Sequence, residues 1–326
     1  MKDKILEELY ASGGEFISGQ ALSKKHKVSR TAIWKHINNL KKQGYHIESM
    51  KNRGYRLLST EGKLLPAVIK KKLKTRNLGK ELIYFDTIDS TNNYGRKIAP
   101  SVGHGTIILS DGQAEGKGRM GRGWVSIANK SLCMSIILKP KIPPTDGAVI
   151  SQIAAAASLK AIGLSTGLRG QIKWPNDIVI GGKKVCGILT EMAGELNQIE
   201  YLIVGIGINA NNKGFPKELE ARATSLAMEK GEIIDRQKLI INLIEEFEDL
   251  YQDYIDRNKL EKTLAIVREN SAILGRDIYV ISRAGRLRAK ALDIDNRGLL
   301  RVRYQDGREE SLLSGEVSIR GEGLYT

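Results

Sequence analysis

The 326-residue chain has only two cysteines, Cys133 and Cys186, both inside apolar, strand-like runs. So few thiols exclude a disulfide framework, and their setting reads as small buried hydrophobes rather than nucleophiles or redox groups. Four histidines, His26, His36, His46 and His104, are scattered singly. They compose neither a metal-spaced cluster nor a Ser-His-Asp set, so none is given a catalytic role. No apolar run approaches the roughly 20 residues of a membrane span. Met1-Lys2-Asp3-Lys4 opens into an amphipathic helical pattern without a signal-peptide core, so the expected location is cytoplasmic, with no membrane partner. Two nucleotide signatures are also missing: a Walker loop ending in Gly-Lys-Ser/Thr and a Gly-x-Gly-x-x-Gly turn into a helix.

What is present is uneven. The formal charge is +15, but residues 1–76 hold 18 Lys and Arg against 6 Asp and Glu, a net of +12, while the remaining 34 and 31 give +3. A basic module on a near-neutral body predicts that the first part meets a polyanion. Its pattern is that of a winged helix-turn-helix. Ile5, Leu6 and Leu9 are at helical spacing before Gly13-Gly14. Ser18 and Ser29 are N-caps for a second helix ending near His26 and a third ending at Gly44, striped by Ala32, Ile33, Ile37 and Leu40. The outer side of the third helix offers Arg30, Thr31, Trp34, Lys35 and Asn38 to a major groove. Strands around 45–49 and 55–58 are joined through Lys51-Asn52-Arg53-Gly54, a tight-turn signal whose Lys51 and Arg53 suit a DNA backbone. Residues 1–62 are expected to be the DNA-binding domain, with protein contact as the alternative use of the same fold. A basic helix is expected at 70–74, after Pro66.

From Leu82 the texture changes. Strands are expected at 82–86, 105–110, 132–138, 171–174, 177–180, 185–192 and 199–209, and helices at 147–163 and 235–256. Few helices on a largely antiparallel sheet is the α+β class. Polar clusters punctuate the strands: Asp89-Ser90-Thr91-Asn92, Gln113, Lys173-Trp174-Pro175-Asn176-Asp177, and Gly181-Gly182-Lys183-Lys184 leading to Gly187. The segment from Gly116 to Trp124 sets Lys117, Arg119 and Arg122 among glycines. Such a backbone can press close to a ligand while the cations meet phosphate or carboxylate oxygens; a flexible basic surface loop is the alternative.

Ser90-Thr91-Asn92, the Gly116 to Trp124 loop, Lys173 to Asp177, a lysine before Val185-Cys186-Gly187-Ile188, and Gly205-Ile206-Gly207-Ile208-Asn209 occur in the order found in bacterial biotin-protein ligases. The chain resembles that family along essentially its whole length. Its basic N-terminal module makes it similar to the bifunctional members, which also repress the biotin operon. The resemblance implies ATP-dependent, magnesium-assisted condensation of biotin's carboxylate to biotinyl-adenylate. Transfer to a lysine of an acceptor follows, such as the biotin carboxyl carrier protein of acetyl-CoA carboxylase. It implies Lys184 as the main electrostatic catalyst, with Arg119 and Arg122; Lys183 points the other way along an extended segment.

A biotin site of Ser90, Thr91, Asn92, Gln113, Gly116, Lys117, Gly118, Arg119, Trp124, Lys184 and Gly187 is implied. The implied nucleotide site comprises Arg119, Arg122, Lys173, Asn176, Asp177, Asn209 and Arg320, with 209–226 beneath the adenine. Asp177 would bind magnesium or orient Lys184, or else cap the turn after Pro175. Trp124 would close over biotin's tail or pack the loop's end. Lys117 stands where the family commonly has Arg, keeping the charge without the planar fork. The loop would be a lid, and the adenylate would promote a homodimer that pairs two winged helices on operator DNA.

Two rival readings remain. A lipoate or octanoate transferase shares the fold and the lysine, but Ser90, Thr91 and Gln113 argue against a purely apolar acyl chain. A transcription factor that merely senses a carboxylate is the non-enzymatic alternative. Beyond residue 270, strands at 277–282, 287–294, 299–304 and 309–313 are expected, with turns at Asn296-Arg297-Gly298 and Gln305-Asp306-Gly307. The resemblance makes 270–326 a small SH3-like β-barrel after a ligase domain at 63–269.

Overall fold

The structure, a computed structural model, describes residues 1–60, 62–195, 198–257, 259–282, 285–313 and 318–321, with the backbone alone at 59, 195 and 318–321. It divides into two compact units, Met1–Lys72 and Leu73–Thr326.

In the first unit, α1 (Lys2–Ala11), α2 (Gly19–His26) and α3 (Arg30–Lys42) precede a hairpin of β1 (His46–Met50) and β2 (Gly54–Ser59), then α4 (Pro66–Lys72). The Ser18 and Ser29 hydroxyls accept from Ala21 N at 3.0 Å and Ala32 N at 3.1 Å, capping α2 and α3. Ile5, Leu9, Leu22, Ile33, Ile37 and Leu40 are fully buried in one core, which Leu65 and Val68 flanking the start of α4 complete. Those two contacts carry the compact unit through Lys72, beyond residue 62. Gly54 has φ 109°, and a Cβ there would lie 2.1 Å from Ile17 O, so the wing begins where only glycine fits. Ile17 and Tyr55 exchange backbone bonds of 2.8 and 2.9 Å, tying the wing to the segment before α2.

On α3, Arg30, Thr31, Trp34 and Lys35 are exposed and Asn38 is half-buried. Trp34, 55% exposed, is a large indole left in solvent on an otherwise polar face. Lys51 and Arg53 are exposed at the wing, and the Arg53 and Arg56 guanidiniums lie 4.5 and 4.7 Å from the Phe16 ring centroid. Replacing Ser29 by Ala is expected to destabilise this unit by about 1 kcal/mol, the worth of an N-cap. Thermal unfolding of the full chain checks it: the transition of this unit should fall, and an unmoved midpoint would remove the cap from the account.

The second unit is built on a seven-stranded sheet of order β3-β4-β5-β9-β8-β7-β6, in which only β3 and β4 run parallel. Its strands are β3 (Leu82–Phe85), β4 (Thr106–Ser110), β5 (Ser131–Leu138), β6 (Gln171–Lys173), β7 (Asp177–Ile180), β8 (Lys183–Glu195) and β9 (Gln198–Asn209). Helix α5 (Thr91–Ile98) crosses β5 and β9, and Gly95 lets it approach: a Cβ would be 3.2 Å from Ile108 and 3.3 Å from Ile203 side chains. Helix α6 (Gly147–Thr166) packs on the sheet, with α9 (Arg236–Arg257) against it; short α7 (Lys217–Glu220), α8 (Leu226–Lys230) and α10 (Glu261–Glu269) complete the set. By length and composition Pro144–Thr166 is apolar enough to cross a membrane, contrary to the sequence reading, but 72% of its apolar window is buried within the protein. It is the central core helix.

The last strands, β10 (Asp277–Ser282), β11 (Gly285–Ile294), β12 (Leu300–Tyr304), β13 (Glu309–Leu312) and β14 (Ser318–Gly321), make an antiparallel sheet of order β13-β12-β11-β10-β14. The β13–β14 closure that would complete a barrel is not among the described pairings. Trp174 Nε1 donates to Gly298 O at 3.0 Å, and Ile172 exchanges backbone bonds with 270 and 272, seating this sheet behind the β6–β7 turn.

Candidate active site

Strand β5 and the β8–β9 pair form the floor. Gly187 and Gly207 face each other across β8 and β9, and Gly205 lies opposite Leu189. A Cβ on Gly207 would sit 2.5 Å from Trp124 Cε2, one on Gly187 would be 2.9 Å from Lys184 Nζ, and one on Gly205 would be 2.2 Å from Asn92 Oδ1. A strip of bare backbone therefore lets an indole and an amide lie directly on the sheet.

The Gly116 to Trp124 segment is a hairpin rather than an open loop. Trp124 N donates to Gly116 O and Gly118 N to Arg122 O, both at 2.7 Å. Gly116 is there for closure: a Cβ would lie 2.4 Å from Trp124 O, and the residue supports the loop without lining either of the two chambers around it. Met120 and Gly121, at φ 55° and 73°, turn the tip, with Met120 exposed.

Two adjoining chambers open around this hairpin. The first is lined by Ser90, Thr91, Asn92, Gln113, Lys117, Gly118, Arg119, Trp124, Lys184 and Gly187, joined by Cys133, Met134, Ile188, Leu189 and Ile206 of the floor. Its polar wall is a network. Thr91 N and Oγ1 donate to Gln113 Oε1 at 2.8 and 3.0 Å. Ser135 Oγ stands 2.7 Å from Thr91 Oγ1 and 2.6 Å from Asn92 Oδ1, and Asn92 Nδ2 donates to Glu191 Oε2 at 2.8 Å. Ser90 is also the N-cap of α5, accepting from Asn93 N. Burial pushes the Cys133 thiol up to about 12, so at this wall it is a neutral apolar surface.

The second chamber is lined by Arg119, Arg122, Lys173, Asn176, Asp177, Lys184 and Asn209, together with Met120, Phe215, Leu219, Arg222 and Ala223. Gly118, Arg119, Trp124, Asn176 and Lys184 line both, so the chambers meet at these five residues. Arg119 Nη1 donates to Asn176 Oδ1 at 3.1 Å, and Asn176 Nδ2 donates to Ile188 O at 2.8 Å. Lys184 Nζ lies 2.6 Å from Asp177 Oδ1. Its backbone is held as well: Lys184 N donates to Arg222 O at 2.8 Å and its carbonyl accepts from Thr224 N at 3.0 Å. Asn209, 3% exposed, donates through Nδ2 to Thr224 O, while its buried Oδ1 has no partner among the described residues and is a ready acceptor. Asp177 is the one carboxylate in the lining, and no group of three metal-ligating side chains occurs among the described residues.

The likeness to known proteins agrees with this geometry. The Bacillus spizizenii bifunctional ligase/repressor BirA is 39% identical over 94% of this chain and 95% of its own length. The chain belongs to the BirA family of bifunctional ligase/repressors. The Escherichia coli BirA is 28% identical over 95% of this chain and 94% of its own. Three family descriptions match in order: an HTH domain at 2–56, the biotin/lipoate A/B protein ligase family at 84–209, and the biotin protein ligase C-terminal domain at 273–320. An Aquifex aeolicus biotin protein ligase, in complex with biotin and ATP, superposes with a TM-score of 0.65 at 26% identity, covering 74% of this chain and all of that one. In this BirA-family chain every named candidate of the ligase module except Gly116 and Arg320 lines one of the two chambers. Arg320 has its backbone on β14 opposite Tyr279, and its side chain lies outside the described residues. Ser135, Met134, Phe215, Leu219 and Arg222 were not picked out from the sequence. Only Arg222 carried a signal, as the one cation between two acidic residues and the Ala223-Thr224-Ser225 turn.

Proposed function

We propose that the chain ligates biotin to protein and represses transcription in response to it. The observation that carries this reading is the meeting of two unlike chambers at Lys184. The first, walled by paired hydroxyl and amide groups above an apolar floor, suits a ureido ring on an aliphatic tail. The second, lined by several cations together with Phe215, Leu219 and the Asn209 amide, suits ATP. A carboxylate oxygen entering from the first attacks the α-phosphorus, forming the mixed anhydride and expelling pyrophosphate. Two anions approach each other, so fixed cations dominate the barrier: Lys184 at the junction, Arg119 beside it, Arg122 and Lys117 from the hairpin. Asp177 orients Lys184 and, with phosphate oxygens, would hold a magnesium ion that neutralises the polyphosphate. Lys173 and Asn176 support the nucleotide, and the family resemblance assigns Arg320, on the SH3-like module, to the same site. An acceptor lysine of biotin carboxyl carrier protein then attacks the acyl carbon, and AMP leaves.

The hairpin is the lid over this intermediate. Winged-helix residues 1–62 contact operator DNA through Arg30, Thr31, Trp34, Lys35, Asn38, Lys51 and Arg53. Holding the adenylate in the ligase module, 63–269, favours a homodimer, and the site of action is cytoplasmic. The experiment is incubation with ATP, an acceptor domain and either biotin or lipoate, reading pyrophosphate and acceptor mass. Biotin-dependent pyrophosphate and a biotinyl adduct are expected; a lipoyl adduct alone, or neither product, overturns the assignment.

A further inference from the structure

One buried ion pair stands behind both chambers without lining either. Arg236 Nη2 lies 2.6 Å from Asp111 Oδ1, with side chains only 2% and 1% exposed. Tyr84 OH also donates to Asp111, at Oδ2. The cluster thus pins the first residue of α9 to the end of β4 and to β3. Charges so deep require each other, since removing one leaves the other uncompensated in a low-dielectric interior.

Asp111 lies two residues from a chamber-lining side chain, and Arg236 lies two residues from the end of the segment that lines the other chamber. From Asp111 the chain passes through Gly112 to Gln113, whose side chain holds Thr91 and whose backbone N donates to Ser126 Oγ at 2.8 Å; the lid hairpin starts three residues later. In the other direction, Arg236 follows Ile234, whose N donates to Asn211 Oδ1 at 2.8 Å and whose O accepts from Asn211 Nδ2 at 2.9 Å. That pair of bonds staples the ends of segment 211–234. The segment supplies Phe215, Leu219 and Arg222 to the second chamber, and Arg222 O grips Lys184 N. Asn211 N in turn donates to Lys130 O, and Asn129 N donates to Asp111 O, so the staple and the ion pair close one ring.

We infer that Arg236 and Asp111 are positioning residues that set the Gln113 wall and the 211–234 wall to each other, so that the acid and the nucleotide meet at Lys184. This rests on the biotin and ATP assignment above. Gln113 alone serves one chamber; the ion pair serves two. A displacement of about 1 Å at the reacting atoms costs up to about 10²-fold, so a shared anchor has leverage over both substrates.

The test measures steady-state pyrophosphate release by full-length Asp111→Asn, with KM for biotin and for ATP determined separately. Both KM values should rise about tenfold or more, and kcat should fall by up to about 10²-fold as the acid and the nucleotide lose their alignment at Lys184. A core control, Ile162→Ala on α6, matched to Asp111→Asn for loss of Tm, should leave both KM values in place. If Asp111→Asn does not fold, Asp111→Asn/Arg236→Gln removes both charges together and carries the same comparison. A rise for one substrate only, for neither, or equally in the control overturns the inference. Absence of biotin-dependent pyrophosphate release by the unaltered protein would instead overturn the underlying assignment.

Discussion

Lys184→Gln should lower kcat for biotin-dependent pyrophosphate release by about 10²–10³-fold, the range for removing one preorganised group at developing charge. The side chain lies at the junction of the chambers and 2.6 Å from Asp177, and its backbone is fixed from both sides by Arg222 and Thr224. Glutamine is polar, uncharged and one bond shorter, so the substitution removes the charge without adding bulk. The loss should therefore appear in kcat, with KM for biotin within about threefold. Pre-steady-state pyrophosphate release at saturating biotin and ATP measures this. A rate within tenfold of the unaltered enzyme would move the main electrostatic role to Arg119 or Arg122.

The second large effect is expected from Gly207→Val. Its Cβ would fall 2.5–2.8 Å from three atoms of the Trp124 indole, with Gly187 opposite leaving no other side chain to yield. The indole must leave the floor, and with it the end of the lid hairpin, because Trp124 N is bonded to Gly116 O. Biotin-dependent kcat/KM should drop about 10²-fold or more, the cost of misplacing reacting groups. Strand propensity pulls the other way, since valine is favoured where glycine weakens a strand. Little loss of Tm alongside a large loss of activity is thus the diagnostic pairing. Retained kcat/KM within tenfold would mean that the glycine strip is not the seat the lid requires.

Much of this was legible in the residues. The winged helix could be read because Ser18 and Ser29 cap, apolar spacing is regular and the hairpin turn has its Asn and Gly; local chemistry determines all three. The chamber residues clustered in short polar strings at strand ends, where a sheet leaves its loops free to carry chemistry. Helix α5 was not legible, because Thr91, Asn92 and Gly95 are its buried positions and their polarity hid the apolar face. The reading took Ser90 to Asn92 as ligand groups, whereas they also cap and anchor a helix. Ser135 was invisible for the opposite reason: it is one of two serines in an eight-residue buried strand, and only the fold brings it to Thr91 and Asn92. Arg236 likewise needed the tertiary pairing with Asp111, 125 positions away in the chain.

The five residues common to both chambers bear on how such an enzyme could be blocked. A molecule that joins a cyclic-urea head to a nucleoside through an uncleavable bridge would engage both compartments as one solute. It would lose its translational and rotational freedom once, where separate acid and nucleotide mimics lose theirs twice. Its linker would run past Lys184 and Arg119, so a bridge carrying an anionic or strongly dipolar group should outcompete an alkyl bridge of equal length.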